Sequence, residues 1–338
     1  MQRRWRTRFS LPVVGVIAGL LLVGCSTSGG KNQPVTQQQG SPAQQGSASQ
    51  STALPAVVFT YDGKQVSRTD FEKEIKLEVQ LGYPQDIPMS VQDQANFAAQ
   101  YAQLLVINDQ APKLKINPTS QQIDQTYQGL NNLLVQQVYG GDQQQFQNRM
   151  KQLGLTTNDL KRLAKQYTVF NTYIQQQAQA YHPSEKELQD YYNQHKENLT
   201  TVDVAHILVT SQQQAEQVKQ QLDQGKDFAA LAKQYSTDTA TKDQGGVMTG
   251  VPLNQLVKPF ADAAFTAPLG KVVGPVQSQY GYHLIRVDKR TTPNFDSAKA
   301  QITQTLQQQH AAQQADKLVA QANVHYNLAQ QPQTQSQG

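Results

Sequence analysis

Two short apolar segments, Val204-Ala205-His206-Ile207-Leu208-Val209 and Gly281-Tyr282-His283-Leu284-Ile285-Arg286-Val287, each carry a single histidine and stand about seventy residues apart. Their β-branched content and turn-forming borders read as two strands. Between them, Gly225-Lys226-Asp227-Phe228-Ala229-Ala230-Leu231-Ala232-Lys233-Gln234-Tyr235-Ser236 is helix-forming. Strands of this kind with helices between them point to the α+β class. No other part of the chain has nucleophile or metal-ligand spacing. His182, His195, His310 and His325 sit singly and read as surface or packing histidines. Any chemistry therefore belongs to the histidine-bearing strands, with neither metal nor cofactor implied.

The N-terminus bears on location. Arg3, Arg4, Arg6 and Arg8 precede an uncharged apolar stretch from Phe9 to Val23. That stretch is shorter than the roughly 20 residues an untilted membrane helix needs, and suits a signal peptide. It ends in Leu22-Val23-Gly24-Cys25, which resembles the lipobox of bacterial lipoproteins. The resemblance implies that Cys25 is diacylated on sulfur and becomes the first mature residue. Cys25 is the only cysteine, so no internal disulfide can form. The expected location is the cell membrane, lipid-anchored and facing the extracytoplasmic side.

Residues 26–55 are nearly all Ser, Gly, Gln, Thr, Ala and Pro, too poor in apolar side chains to bury a core, and read as a flexible tether. The formal charge of +4 includes the four signal-peptide arginines, so the mature chain is near neutral and a nucleic-acid partner is not expected. Charged residues make up only 16% of the chain, against a usual ~25%, and glutamine takes their place on polar helix faces. From Ala56 the pattern predicts a strand at Val57–Tyr61 and a turn at Asp62-Gly63. A helix then opens on a Thr69/Glu72 capping box. Further helices fit Val91–Asp109, a segment opened by Pro118-Thr119 and broken at Gly140-Gly141, Gln143–Leu153, Asn158–Ala180 and Glu185–His195. Asp296–Ala322 is one more amphipathic helix. Alone it has nothing to pack against, so it is expected to return to the N-terminal helices.

Residues 200–290, with their two histidine strands, the Phe228–Tyr235 helix and Lys258-Pro259-Phe260, resemble a parvulin-type peptidyl-prolyl cis-trans isomerase. The order of lipobox, linker, N-terminal helices, parvulin segment and C-terminal helix resembles the PrsA-type foldase lipoproteins. So do Asp62-Gly63-Lys64-Gln65-Val66 and the Tyr191-Tyr192 segment. The implied fold is a four-stranded antiparallel sheet with about four helices, inserted into a discontinuous, mainly helical chaperone domain. The expected limits are 1–24 signal peptide, 25–55 lipidated cysteine and linker, 56–199 with 291–328 helical domain, 200–290 parvulin domain, and 329–338 disordered tail. The implied partners are unfolded or partly folded exported polypeptides, and a homodimer is left open.

Residue by residue, the resemblance places His206 and His283 on the family's two motif histidines, and Asp238 where parvulins carry Cys or Asp near the substrate amide. Met248, Leu256 and Phe260 fall on the proline socket, and Tyr280 on a substrate-binding position that is often small and polar. Each has a plainer reading: core packing for the three apolar residues, fold orientation for the histidines, a loop carboxylate for Asp238. The histidines are expected to be buried polar partners of each other. Gly245-Gly246-Val247-Met248-Thr249-Gly250-Val251 departs from the family, whose Gly-Gly continues with Asp-Leu-Gly and an aromatic residue. Thr210–Gln214 lacks the Lys or Arg that phosphate-requiring parvulins use, so no phosphate requirement is implied. Two functions follow: an X–Pro isomerase that assists folding, or a holdase that binds peptide without significant catalysis.

Overall fold

In the computed structural model, residues 54–329 are described; the signal-peptide, Cys25 and linker assignments and the tail beyond 329 lie outside the described residues. Val57–Tyr61 (β1) turns through Asp62 and Gly63, both at positive φ, and returns antiparallel as Lys64–Ser67 (β2). Asp-Gly suits such a turn because both central residues must tolerate left-handed backbone. The helix that follows (α1, Arg68–Glu78) is capped by Ser67, whose hydroxyl accepts from the Asp70 N–H at 3.1 Å. The expected Thr69 cap is corrected: two Ser/Thr-x-x-acid spacings overlap here, and the end of β2 selects the earlier one.

Among the described residues, reciprocal capping boxes open Val91–Gln110 (α2), Ser120–Leu133 (α3), Thr157–Ala180 (α5) and Glu185–Gln194 (α6). Between α3 and α5, a π turn at Leu134–Val138 precedes the glycine break, and Gln143–Leu153 (α4) ends on left-handed Gly154. Lys196–Leu199 (α7) is a single turn.

Residues 54–181 and 307–329 belong to one compact unit, and residues 182–306 to the other. The helical unit is thus discontinuous, interrupted by the second. Its C-terminal piece is the latter part of Phe295–Gln321 (α11), with Ala315 buried beside Ile107 and Tyr173. A two-residue strand, His325–Tyr326 (β7), then pairs with β1 to give the order β2-β1-β7. No pattern in so short a segment announces it.

Within this unit α1 carries an acidic pair, Glu74 buried and Glu78 half-buried. Glu74 is 1% exposed and accepts from Arg162 Nη2 at 2.8 Å, while Glu78 accepts from the Tyr167 hydroxyl. Tyr101 of α2, Asp70 and Lys73 of α1, and Asp159 of α5 are the other ionisable groups involved; Lys73 pairs with Asp159 at 2.6 Å. Burial, then the neighbouring Glu74 charge, pushes the Glu78 carboxyl up to about 8. The folded state therefore binds a proton that the unfolded state has released above the ordinary carboxylate range. The contribution of Glu78 to stability is fully present below the ordinary carboxylate range and should be lost as pH rises towards and through 8. Urea unfolding followed by helical circular dichroism at pH 5, 7 and 9 should show that decline, and Glu78→Gln should flatten it.

The second unit holds Thr201–Val209 (β3), Gln212–Asp223 (α8), Phe228–Tyr235 (α9), Val247–Pro252 (β4), Lys258–Thr266 (α10), Val272–Ser278 (β5) and Gly281–Thr291 (β6). Its sheet is antiparallel throughout, in the order β4-β3-β6-β5. Between α9 and β4 lies a short 3-10 turn, Lys242–Gln244. One face packs Val204, Ile285 and Val287 with Phe260 and Ala264 of α10. The other packs Ala205, Ile207 and Leu284 with Val218 of α8 and Leu231 of α9. Burial on both faces explains why β3 reads as an almost unbroken apolar run. The unit is wider than 200–290, because Leu188 of α6 and Leu199 of α7 form a small core with Ala298 and Ile302.

Candidate active site

In the β3–β6 pairing, His206 lies opposite Ile285 and His283 opposite Leu208. Directly opposed residues share a face of an antiparallel pair, so both imidazoles emerge on the α10 side of the sheet. They are 6% and 4% exposed, with ring centroids 5.8 Å apart and planes 20° from parallel. Phe260, 3% exposed, stands edge-on to both, at 5.6 Å from His206 and 5.3 Å from His283. The strands can approach because Gly246 (φ 76°) has no side chain: a Cβ there would lie 2.1 Å from the His206 carbonyl oxygen. The Gly246 carbonyl accepts the His206 N–H at 2.9 Å.

Asp238 sits on the loop after α9. Its Oδ2 lies 2.8 Å from His206 Nε2 and accepts from the Thr241 hydroxyl at 2.5 Å, while Oδ1 accepts the Ala240 N–H at 3.1 Å. Thr241 Oγ1 is also 3.2 Å from His206 Nε2. The only hydrogen on that hydroxyl is committed to the carboxylate, so His206 Nε2 must carry a proton and donate. At the other ring, Ser278 Oγ accepts the Tyr280 N–H at 3.1 Å and lies 2.7 Å from His283 Nε2. Ser278 Oγ thus holds the His283 ring through Nε2. Both Nδ1 atoms are buried without a hydrogen-bond partner, so the expectation that the histidines pair directly is corrected. Each is held instead by an oxygen from a neighbouring loop or turn.

Burial, then the neighbouring His206 ring, pushes His283 down to about 4. It is neutral throughout the physiological range. Burial pushes Asp238 up, but the hydrogen bonds from Thr241, His206 and the Ala240 amide outweigh it and hold the carboxyl below its usual range. The arrangement is a buried floor of two imidazoles with a fixed anion beside it.

Met248 and Leu256 are half-buried against the same core as Phe260. Tyr280 is 60% exposed on the β5–β6 turn, with its backbone tied to Ser278. Sequence reasoning missed Thr241 and Ser278. Thr241 follows Asp238 by three residues, a spacing that also reads as an ordinary turn. Ser278 lies across a tight turn from His283, so its role follows from the hairpin and not from strand periodicity. Among the described residues no cluster of His, Cys, Asp or Glu could hold a metal ion.

Residues 176–289 match the PPIC-type PPIase domain of the rotamase family. A foldase protein PrsA of Caldanaerobacter subterraneus subsp. tengcongensis is 39% identical over 142 residues, 42% of this chain and 46% of that one. A foldase protein PrsA of Clostridium botulinum is 27% identical over 275 residues, 75% of this chain and 82% of that one. The chain is thus similar to foldase proteins PrsA and contains a PPIC-type PPIase domain. The matched segment is a parvulin-type peptidyl-prolyl cis-trans isomerase domain. A crystal structure of the peptidylprolyl isomerase PrsA from Bacillus anthracis is 26% identical, covers 67% of this chain and 94% of that one, and superposes with a TM-score of 0.42.

Within this PPIC-type domain, the departure after Gly246 falls on the edge strand β4. Val247 is 43% exposed, Met248 pairs with Val204, and the Gly250 N–H donates to Asp203 Oδ1 at 2.7 Å. The strand thus keeps its pairing without the family's acid and aromatic residue.

Proposed function

We propose that this chain is a membrane-tethered foldase that catalyses cis-trans isomerisation of X–Pro bonds in exported polypeptides, on the extracytoplasmic side of the membrane. The carrying observation is Phe260 standing edge-on to two buried imidazoles beside the anionic Asp238. The reaction breaks no bond. Its barrier, near 18–20 kcal/mol, is mostly lost amide resonance. The planar amide is more charge-separated than the twisted one, so an apolar socket around the proline favours twisting. A fixed carboxylate near the amide oxygen opposes the resonance form that puts negative charge there, which favours twisting again. A rate gain of ~10³ requires only about 4 kcal/mol of differential stabilisation. In this reading Phe260, Met248 and Leu256 hold the ring, Tyr280 lies along the bound chain, and Asp238 biases the amide. His206 and His283 fix the floor.

A holdase without significant catalysis is the second reading, favoured by the missing acid and aromatic residue around Val247–Val251. Refolding of a client whose slow phase is proline isomerisation separates the two. A foldase at one-tenth of the client concentration should accelerate that phase. A holdase should only reduce aggregation, and only near equimolar amounts. Attachment through Cys25 has its own test, since no described helix is long and apolar enough to cross a membrane. Cys25→Ser should release the protein from membranes, because a polar tether has no other affinity for them. Retention of that variant on membranes in high salt would overturn the lipid anchor.

A further inference from the structure

We propose that Thr241 is a positioning residue for isomerisation, its hydroxyl holding Asp238 and His206 in one fixed arrangement. The inference rests on the reading that Asp238 faces the substrate amide. Its geometry is a three-way contact: the hydroxyl donates to Asp238 Oδ2 at 2.5 Å and lies 3.2 Å from His206 Nε2, which itself reaches the same carboxylate oxygen at 2.8 Å. That closed triangle leaves Asp238 one orientation and His206 one tautomer. Without the hydroxyl, Oδ2 would keep a single donor from this group and the carboxylate could turn about its χ2 bond. A Thr is suited to the task because two heavy atoms on Cβ restrict χ1.

The hydroxyl is not what shapes the loop. The Thr241 carbonyl accepts both the Gln244 and the Gly246 N–H at 2.9 Å, the Asp238 carbonyl accepts the Lys242 N–H at 3.0 Å, and the Thr237 N–H donates to Leu208 O at 2.8 Å. These backbone bonds survive a change of side chain. The Gly246 bond also links Thr241 to the site from behind, since Gly246 in turn accepts the His206 N–H. Thr241 is therefore linked to the His206 backbone through Gly246 and to its ring directly, and only the second link depends on its hydroxyl.

The test compares the full-length protein with Thr241→Val, Thr241→Ser and Asp238→Ala, using an unphosphorylated X–Pro peptide. Thr241→Val should lower kcat about tenfold, the scale of one lost charge-assisted hydrogen bond, with KM changed less than about twofold. Thr241→Ser should retain most of the rate. Nitrogen-15 chemical shifts of the His206 ring should show the Nε2-protonated tautomer in the wild type and the Ser variant, and a mixture in the Val variant. The acidic limb of the pH profile should move upward in the Val variant, because Asp238 loses a donor. A merely structural role would lower the melting temperature without moving the tautomer or the pH limb. If Asp238→Ala slows the reaction but Thr241→Val does not, the positioning role is wrong while the site stands. If neither variant changes the rate, the Asp238 reading falls and the positioning role with it. A wild-type His206 protonated on Nδ1 would overturn the proposal whatever the variants do.

Discussion

Phe260→Ala should reduce kcat/KM for an X–Pro peptide on the order of a hundredfold, more than any single polar substitution in the site. Phe260 stands edge-on to both imidazoles, and it is buried in the core that also takes in Met248 and Leu256. Removing the ring takes away the wall against which a proline must rest while the acyl half of the amide turns. It also opens a cavity, and a buried Phe→Ala change typically costs about 3–5 kcal/mol of stability. Activity must therefore be measured well below the melting temperature of the variant, with thermal unfolding in parallel. Phe260→Leu should fall between wild type and Ala in both measurements. A folded Phe260→Ala protein with wild-type kcat/KM would remove the apolar socket from the account.

The second large effect lies in the backbone. Gly246→Ala should destabilise the isomerase unit by about 3 kcal/mol or more. The φ of 76° alone costs an L-residue roughly 1–2 kcal/mol. The added Cβ would also sit 2.1 Å from the His206 carbonyl oxygen, and backbone in the middle of a sheet cannot move aside cheaply. The strand β4 would have to leave β3, breaking the bond from the His206 N–H to Gly246 O. Hydrogen exchange at the His206 amide should accelerate more than at Leu284 across the sheet. Gly250→Ala is the matched control: its φ is 62°, but nothing lies within 4 Å of an added Cβ. It should show only the backbone penalty. Equal melting temperatures for the two variants would mean that the close approach at Gly246 is not what holds β4 in place.

Much of this was legible in the residues because it is local. Ser90 with Asp93, Thr119 with Gln122 and Ser184 with Glu187 satisfy helix ends within four residues, so helix starts lie within a residue or two of their expected places. The alternation of His206 and His283 with β-branched neighbours put both on strands, and one sheet face followed from pairing. What was not legible depends on partners distant in sequence. Glu74 and Glu78 stand four residues apart on α1, and nothing local announces that Arg162 and Tyr167 reach them from α5. The strand β7 exists because β1 offers an edge, with Asn327 N–H reaching Val58 O at 2.9 Å. Ser67 displaced Thr69 as a cap because the hairpin ended first. At the site, Thr241 and Ser278 are common turn residues whose meaning comes from which imidazole nitrogen they meet.

The central claim is that this site turns an amide and does not merely hold a proline. The most direct measurement is the cis-to-trans rate of an unphosphorylated prolyl tetrapeptide, followed by an isomer-selective protease with the full-length protein present at one-hundredth of the peptide concentration. Uncatalysed exchange takes tens to hundreds of seconds. The account predicts a rate that rises linearly with protein concentration, loses most of that gain in Phe260→Ala, and is not raised by a phosphate before the proline. A wild-type protein that binds the peptide yet leaves the exchange rate at its uncatalysed value would contradict it.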